Sequence, residues 1–253
     1  MKNKLCKDKV LIIGESCKDV FNYCDAKRLC PDIPVPALTI KYQKDNPGMA
    51  MNVYRNLKKY VPNCDIITNS DWEYITKTRY VDEKSNHMFI RIDSENTKEK
   101  FNIKKFNDIK SDYRLIIISD YNKGFLSEKD IFDISSSNIK VFIDTKKIIG
   151  KWAKNIDIIK INNYEYNNSL NYINKNTWLK EKIIHTVGED GCYYKGTHFP
   201  VKKSEIKDSS GAGDTFFAGL IIEYLNTNDM TKAIKFANKC ASKVVQEKGV
   251  TTL

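Results

Sequence analysis

Short runs of β-branched and apolar residues recur along this chain, each too uniformly apolar to leave one face in water. Residues 9–14 (KVLIIG), 115–119 (LIIIS), 141–143 (VFI) and 156–161 (IDIIKI) have this character, and 182–187 (KIIHTV) repeats it. Such strands must be covered on both faces, as happens inside a parallel sheet flanked by helices. Helix-period segments lie between them. Apolar residues at 49/50, 53/54, 57 and 60/61 form a stripe, and Ser127 with Asp130 opens a helix over 127–137 in the manner of a capping box. Two more helices are expected over 214–226 and 229–247, the second with Ala233, Ala237, Cys240, Ala241 and Val244 on one face. Residues 192–201 read as a hairpin.

Two segments break this rhythm. Residues 35–42 and 75–92 alternate apolar with polar side chains, and no helix separates the two strands expected within 75–92. They predict a small accessory sheet beside the main one. No internal repeat, linker or low-complexity segment interrupts the 253 residues.

Composition narrows the function. A hydrophobic fraction of 41% supports a sizeable core, and no run approaches the ~18 apolar residues of a membrane span. The start, MKNKLCKDK, is charged and lacks the apolar core of a secretory signal, so a cytoplasmic protein is expected. The balance of 42 basic to 32 acidic residues gives +10, but only five of the 42 are arginine and the lysines are scattered. That argues against nucleic acid and fits an anionic small molecule. The seven cysteines form no C-x-x-C pair and no histidine stands beside them in metal spacing, so reduced thiols are expected rather than zinc or disulfides.

The most informative stretch is 208–219, DSSGAGDTFFAG. Its glycines let backbone approach a ligand, and a helix starts at about residue 212, where free amides favour negative charge. Asp214 in such a site is either a helix cap or a base taking a proton from a hydroxyl that attacks phosphorus held by those amides. Asn162 and Glu165 follow a strand and suit Mg²⁺ held through water, or else open a helix. Thr186, Gly188 and Gly191 (TVGEDG) end another strand, suited to a nucleotide or to a plain turn.

Together these stretches resemble the ribokinase/PfkB carbohydrate kinases. DSSGAGDTFFAG is similar to that family's C-terminal signature, NNYE to its N-x-x-E and TVGEDG to its T-x-G-x-x-G. Gly14-Glu15-Ser16-x-x-Asp19 resembles the substrate-side start, and residues 47–52 (PGMAMN) the glycine-rich P-G-G-A-A-N segment. Within the family, 27–36 (KRLCPDIPVP), 119–124 (SDYNKG), 144–146 (DTK), 76–79 (TKTR) and 90–93 (IRID) resemble stretches of D-glycero-β-D-manno-heptose-7-phosphate kinases.

The resemblance implies a three-layer α/β sandwich with a mostly parallel central sheet, a single domain over 1–253, and a small β-lid from about 16–46 and 75–93. It implies ATP and Mg²⁺, a sugar or sugar phosphate as acceptor, no membrane or nucleic-acid partner, and a homodimer through the lid. Asp214 is expected as the base, with the amides of Gly211, Ala212 and Gly213 facing the phosphoryl group. Lys146, Thr186, Gly188, Gly191 and Asn238 are expected at the nucleotide, together with Asn162 and Glu165, which would hold Mg²⁺. Asp19, Gly48 and Asn52 are expected at sugar hydroxyls, with Arg79, Arg91 and Lys123 near the substrate end. Glu15 stands where the family has Asp, Met49 where it has a second Gly, and the stretch from Tyr60 to Thr76 is shorter than the resemblance predicts by roughly one helix–strand unit. A kinase for ribose, fructose or a nucleoside is the alternative, and a catalytically weak sugar-phosphate binder a further one. No H-x-G-H motif of a nucleotidylyltransferase occurs, so no second activity is expected within these residues.

Overall fold

The computed structural model describes residues 8–202, 206–247, 249 and 252–253; most of the charged N-terminal stretch, with Cys6, lies outside them. The apolar runs form the centre of an eight-stranded sheet. Its strands, in chain order, are β1 (Val10–Gly14), β4 (Cys64–Ile67), β7 (Leu115–Asp120), β8 (Lys140–Thr145), β9 (Ile158–Asn162), β10 (Ile183–Thr186), β11 (Cys192–Tyr194) and β12 (Thr197–Phe199). In space they run β12-β11-β10-β9-β8-β7-β1-β4. From β4 to β10 every pairing is parallel, and β11 pairs antiparallel with both β10 and β12.

Alternate side chains of each strand enter separate cores. Val10, Ile12, Leu115, Ile117 and Phe142 pack with α1 (Ala50–Lys58), α5 (Ala212–Thr227) and α6 (Met230–Val244). Leu11, Ile13, Ile116, Ile118, Val141 and Ile143 face the layer that contains α2 (Ile103–Ile109), α3 (Glu128–Ser135) and α4 (Asn163–Lys175). Each Ile or Leu so buried contributes about 1.5–3 kcal/mol, which explains why uninterrupted apolar runs and not alternating ones build this sheet. Close approach is needed where β1 meets β7: a Cβ on Gly14 would fall 1.9 Å from the Ser119 carbonyl oxygen.

The smaller sheet has the order β3-β2-β5-β6, built from β2 (Ser16–Leu29), β3 (Pro36–Met49), β5 (Thr76–Asp82) and β6 (Met88–Asp93). Its 14-residue strand β2 falls within the 16–46 expected for the lid but shows no strand pattern of its own, because its inner half, Cys17 to Cys24, is buried without regular alternation. β3 is likewise longer than the expected 35–42 and runs straight into α1 through Met49. α2, at 103–109, had not been anticipated. Ser127 and Asp130 do form the capping box expected of them. β4 is the free edge of the main sheet, and the chain passes from it to β5 with no intervening helix or main-sheet strand.

Candidate active site

Asp214 lies in the first turn of α5, behind Gly211, whose φ of 78° a side chain would resist. The Asp214 carboxylate is buried and held from two directions. Asn52 of α1 donates from Nδ2 to Oδ2 at 2.9 Å, and the Tyr121 hydroxyl, from the loop after β7, donates to Oδ1 at 2.5 Å. Burial pushes the carboxyl from its ordinary 3.8 up to about 6, against the two hydrogen bonds, which favour the charged form. The Asp144 carboxylate raises it further and the Lys160 ammonium opposes that. Burial and the neighbouring Asp214 carboxylate push the Tyr121 phenol well above its ordinary value, so Tyr121 remains the donor.

The α5 N-terminus opens on a cavity of about 630 Å³. Of the residues singled out in the sequence, Lys146, Asn162, Thr186, Gly188, Gly191, Gly211, Ala212, Gly213, Asp214 and Asn238 line it. They come from the C-terminal ends of β8, β9 and β10 and the loops that follow, from α5 and from α6, so the topology gathers residues spread from position 146 to position 238. Asn238 is committed to structure, donating to the Phe199 carbonyl oxygen at 2.9 Å.

Asn162 and Glu165 meet as the capping box of α4. The Asn162 side chain accepts from the amides of Tyr164 and Glu165, and Glu165 Oε2 accepts from the Asn162 amide at 2.8 Å. Glu165 Oε1 pairs with Lys146 Nζ at 3.2 Å. Burial would lower the Lys146 pKa, but Asp144 and Glu165 hold it above its ordinary value, so Lys146 stays a cation at the cavity wall. Behind it, Lys160 and Asp144 form a buried ion pair at 2.7 Å, with Lys160 Nζ 3.1 Å from where a Cβ on Gly213 would sit. Asp144 Oδ1 has no hydrogen-bond partner. That orphaned oxygen and the Asn162 side chain, both on residues lining the cavity, are the hard oxygen donors a hydrated divalent cation prefers, so the cavity wall fits Mg²⁺ bound through water. Among the described residues no cluster of three His, Cys, Asp or Glu offers direct ligation.

Towards the small sheet, Asp19 and Arg79 form an ion pair at 2.7 Å, and the Arg79 guanidinium lies 4.8 Å from the Phe21 ring centroid. Gly48 packs beneath them, since a Cβ there would fall 2.5 Å from Asp19 Oδ2 and 2.9 Å from Cys17 Sγ. Arg91 pairs with Asp93 of its own strand and is half exposed. Lys123 is held by its backbone amide, which donates to Glu15. Met49 is buried at a φ of 60°, the conformation in which the resemblance has glycine.

Tyr121, Lys160 and Asp144 also belong to this site, though sequence alone does not single them out. A charged side chain inside a run that must be covered on both faces was the available signal for Lys160. For Tyr121 there was none beyond its place in SDYNKG, because its hydroxyl meets Asp214 only across the folded sheet.

Residues 132–253 match the family described as pfkB family carbohydrate kinase. The match covers the C-terminal part of the chain, where Asp214, Asn162 and Glu165 lie, and makes that part similar to the PfkB carbohydrate kinases. The chain's fold is ribokinase-like throughout: a Thermotoga maritima ribokinase superposes with a TM-score of 0.74 at 16% identity, over 96% of this chain and 94% of that one. An Arabidopsis thaliana ribokinase solved with ribose and ATP gives 0.68 at 13% identity, over 96% and 94%. Among curated relatives, the bifunctional protein HldE of a Nitratiruptor species is 26% identical over 97% of this chain and 63% of its own length. HldE of Campylobacter jejuni is 29% identical over 96% and 62%. This chain thus spans about three fifths of the length of these relatives.

Proposed function

We propose that this kinase transfers the γ-phosphoryl group of ATP to a sugar-phosphate hydroxyl, and that its acceptor is D-glycero-D-manno-heptose 7-phosphate, phosphorylated at the anomeric position. The observation that carries the reading is Asp214: a buried carboxyl brought to about 6, at the amide-lined mouth of α5, between the cavity and the small sheet. A base with that pKa is ionised at neutral pH yet close enough to it to accept a proton efficiently.

Each Asp214 oxygen keeps a lone pair beyond those used by Asn52 and Tyr121. The acceptor hydroxyl gives its proton to one of them as its oxygen bonds to the γ-phosphorus and the bond to the β-phosphate oxygen breaks, releasing ADP. The amides of Gly211, Gly213 and Asp214 would stabilise charge spread over the transferred group, whereas the Ala212 amide donates to the Ser209 carbonyl oxygen at 3.2 Å. Lys146, Thr186, Gly188, Gly191 and Asn238 would flank the nucleotide, and Asp19, Gly48 and Asn52 the sugar, with Arg79, Arg91 and Lys123 towards its phosphate. Mg²⁺, held through water by Glu165, Asn162 and Asp144, would neutralise phosphate charge.

The heptose assignment is supported by the stretches 27–36, 119–124 and 144–146 and by similarity to the HldE proteins. We read the chain as a homodimer paired through its lid, because Ile40 and Tyr42 of β3 and Met88, Ile90 and Ile92 of β6 expose apolar surface on the small sheet. We place the reaction in the cytoplasm, where unpaired cysteines stay reduced.

ADP release from MgATP across heptose 7-phosphate, fructose 6-phosphate, ribose, fructose and adenosine, with Asp214→Asn as blank, tests the reading. Selective turnover of the heptose phosphate is expected. Turnover of another acceptor would discard the heptose assignment, and silence across the panel would discard the kinase activity of this chain.

A further inference from the structure

Both hydrogen bonds that hold Asp214 trace back to one residue. The backbone carbonyl oxygen of Glu15 accepts from the Ala50 amide at 2.9 Å, anchoring the start of α1, whose Asn52 donates to Asp214 Oδ2. The Glu15 carboxylate, buried at the end of β1, points the other way. Its Oε2 accepts from the Tyr121 amide at 2.9 Å, and its Oε1 from the amides of Lys123 at 2.9 Å and Phe125 at 3.4 Å. Three backbone donors converging on one side chain fix the loop from which the Tyr121 hydroxyl reaches Asp214 Oδ1. An aspartate, one methylene shorter, has less reach for all three. Asp120 completes the scaffold, taking the Asn122 amide at 3.1 Å and the Lys147 ammonium at 2.8 Å.

Tyr121 is in turn touched from both sides of the site. Lys77 Nζ of the lid strand β5 lies 4.7 Å from its ring centroid, and Lys146 Nζ at the cavity wall 5.8 Å. The ring therefore stands where lid, cavity and base meet.

From this geometry we infer that Glu15 and Tyr121 are positioning residues for the Asp214 base, Glu15 acting through the loop that carries Tyr121. The inference rests on the reading of Asp214 as the base. It also gives the glutamate at position 15 a task other than binding the acceptor, since its oxygens are occupied by backbone amides.

The charged and titratable groups around Asp214 are Asp144 of β8, Lys160 of β9, Lys146, Tyr121 and the Cys17 thiol of β2. Tyr121→Phe removes only the donated hydrogen bond from this set. Because a donor to a carboxylate favours the charged form, its loss moves the titration of Asp214 up by about one pH unit.

The test needs no acceptor. The stability difference between Asp214→Asn and the parent is followed by denaturant unfolding from about pH 4.5 to 8.5. In the parent background it should stop growing near pH 6 to 7. In Tyr121→Phe that plateau should come about one pH unit later, and Glu15→Asp should move it in the same direction. Glu15→Asp combined with Tyr121→Phe should add nothing to Tyr121→Phe alone. With an acceptor in hand, the acidic limb of the kcat profile should shift alongside, with the KM for ATP unchanged.

An unmoved plateau in Tyr121→Phe overturns the inference while leaving the base assignment standing. Additive shifts in the double variant, or failure of both Glu15→Asp and Glu15→Gln to fold, overturn the part given to Glu15. Undiminished turnover in Asp214→Asn instead overturns the base reading itself.

Discussion

Asp214→Asn separates two consequences of burying one carboxyl. Burial raises the group from 3.8 to about 6, so keeping it charged in the folded protein costs about 3 kcal/mol relative to the unfolded chain. The unfolded carboxyl loses its proton first, so stability falls as pH rises from about 3.8 to about 6 and is level above that. Asparagine does not ionise. Its carboxamide still accepts from Asn52 and donates to the Tyr121 oxygen, so the packing is kept. The variant should therefore gain on the parent by about 1.4 kcal/mol between pH 5 and pH 8, with little further gain at higher pH. Over the same range the parent's kcat should rise through about pH 6, while the variant's turnover falls by roughly 10²–10⁴-fold for want of a proton acceptor, with ATP affinity retained. Guanidinium unfolding at the two pH values and an ADP-release assay measure both. A stability difference that does not change with pH would refute the buried titration, and retained turnover would refute the role as base.

Other perturbations probe the surrounding scaffold. Met49 holds a φ of 60°, where any residue with a Cβ is strained by about 1–3 kcal/mol; Met49→Gly should accordingly be about 1 kcal/mol more stable than Met49→Ala in urea, and the reverse order would refute the conformation. Lys160→Met leaves Asp144 as a lone buried charge and should cost about 3–5 kcal/mol, most of it recovered on adding Asp144→Asn; no recovery would deny the pair. Gly48→Ala drives a methyl group into Asp19 Oδ2, so the acceptor KM should rise about tenfold or more while the KM for ATP holds. Equal changes in both would place Gly48 away from the acceptor.

Much of this molecule is written locally. The runs VLII, LIII and VFI announce strands buried on both faces because nothing in them tolerates water, and Ser127 and Asp130 cap α3 with atoms three residues apart. DSSGAGDTFFAG carries its own turn, its own helix start and the Asp214 carboxylate within twelve residues, so this candidate site was legible before any fold was known. The resemblance to the ribokinase/PfkB kinases likewise pointed to Lys146, Thr186, Gly188 and Gly191, and all of them line the cavity.

What lay beyond the sequence are the relations that need the sheet. Asn162 and Glu165 are chemically able to meet a metal or to cap a helix, and only their placement at the start of α4 shows the cap in use. β2 hides because half of it is covered by the chain's own small sheet and helix α1, which leaves no alternating pattern to read. The sequence by itself determined the layered architecture and the placing of a carboxylate at a helix start, since burial on two faces and a glycine-rich helix start are properties of contiguous residues. The tertiary structure alone decided how that carboxylate is held: Asn52, Tyr121 and Glu15 are 162, 93 and 106 residues from Asp214 or Tyr121 in their respective hydrogen bonds, and contacts of such separation are set by strand order, which no local pattern encodes.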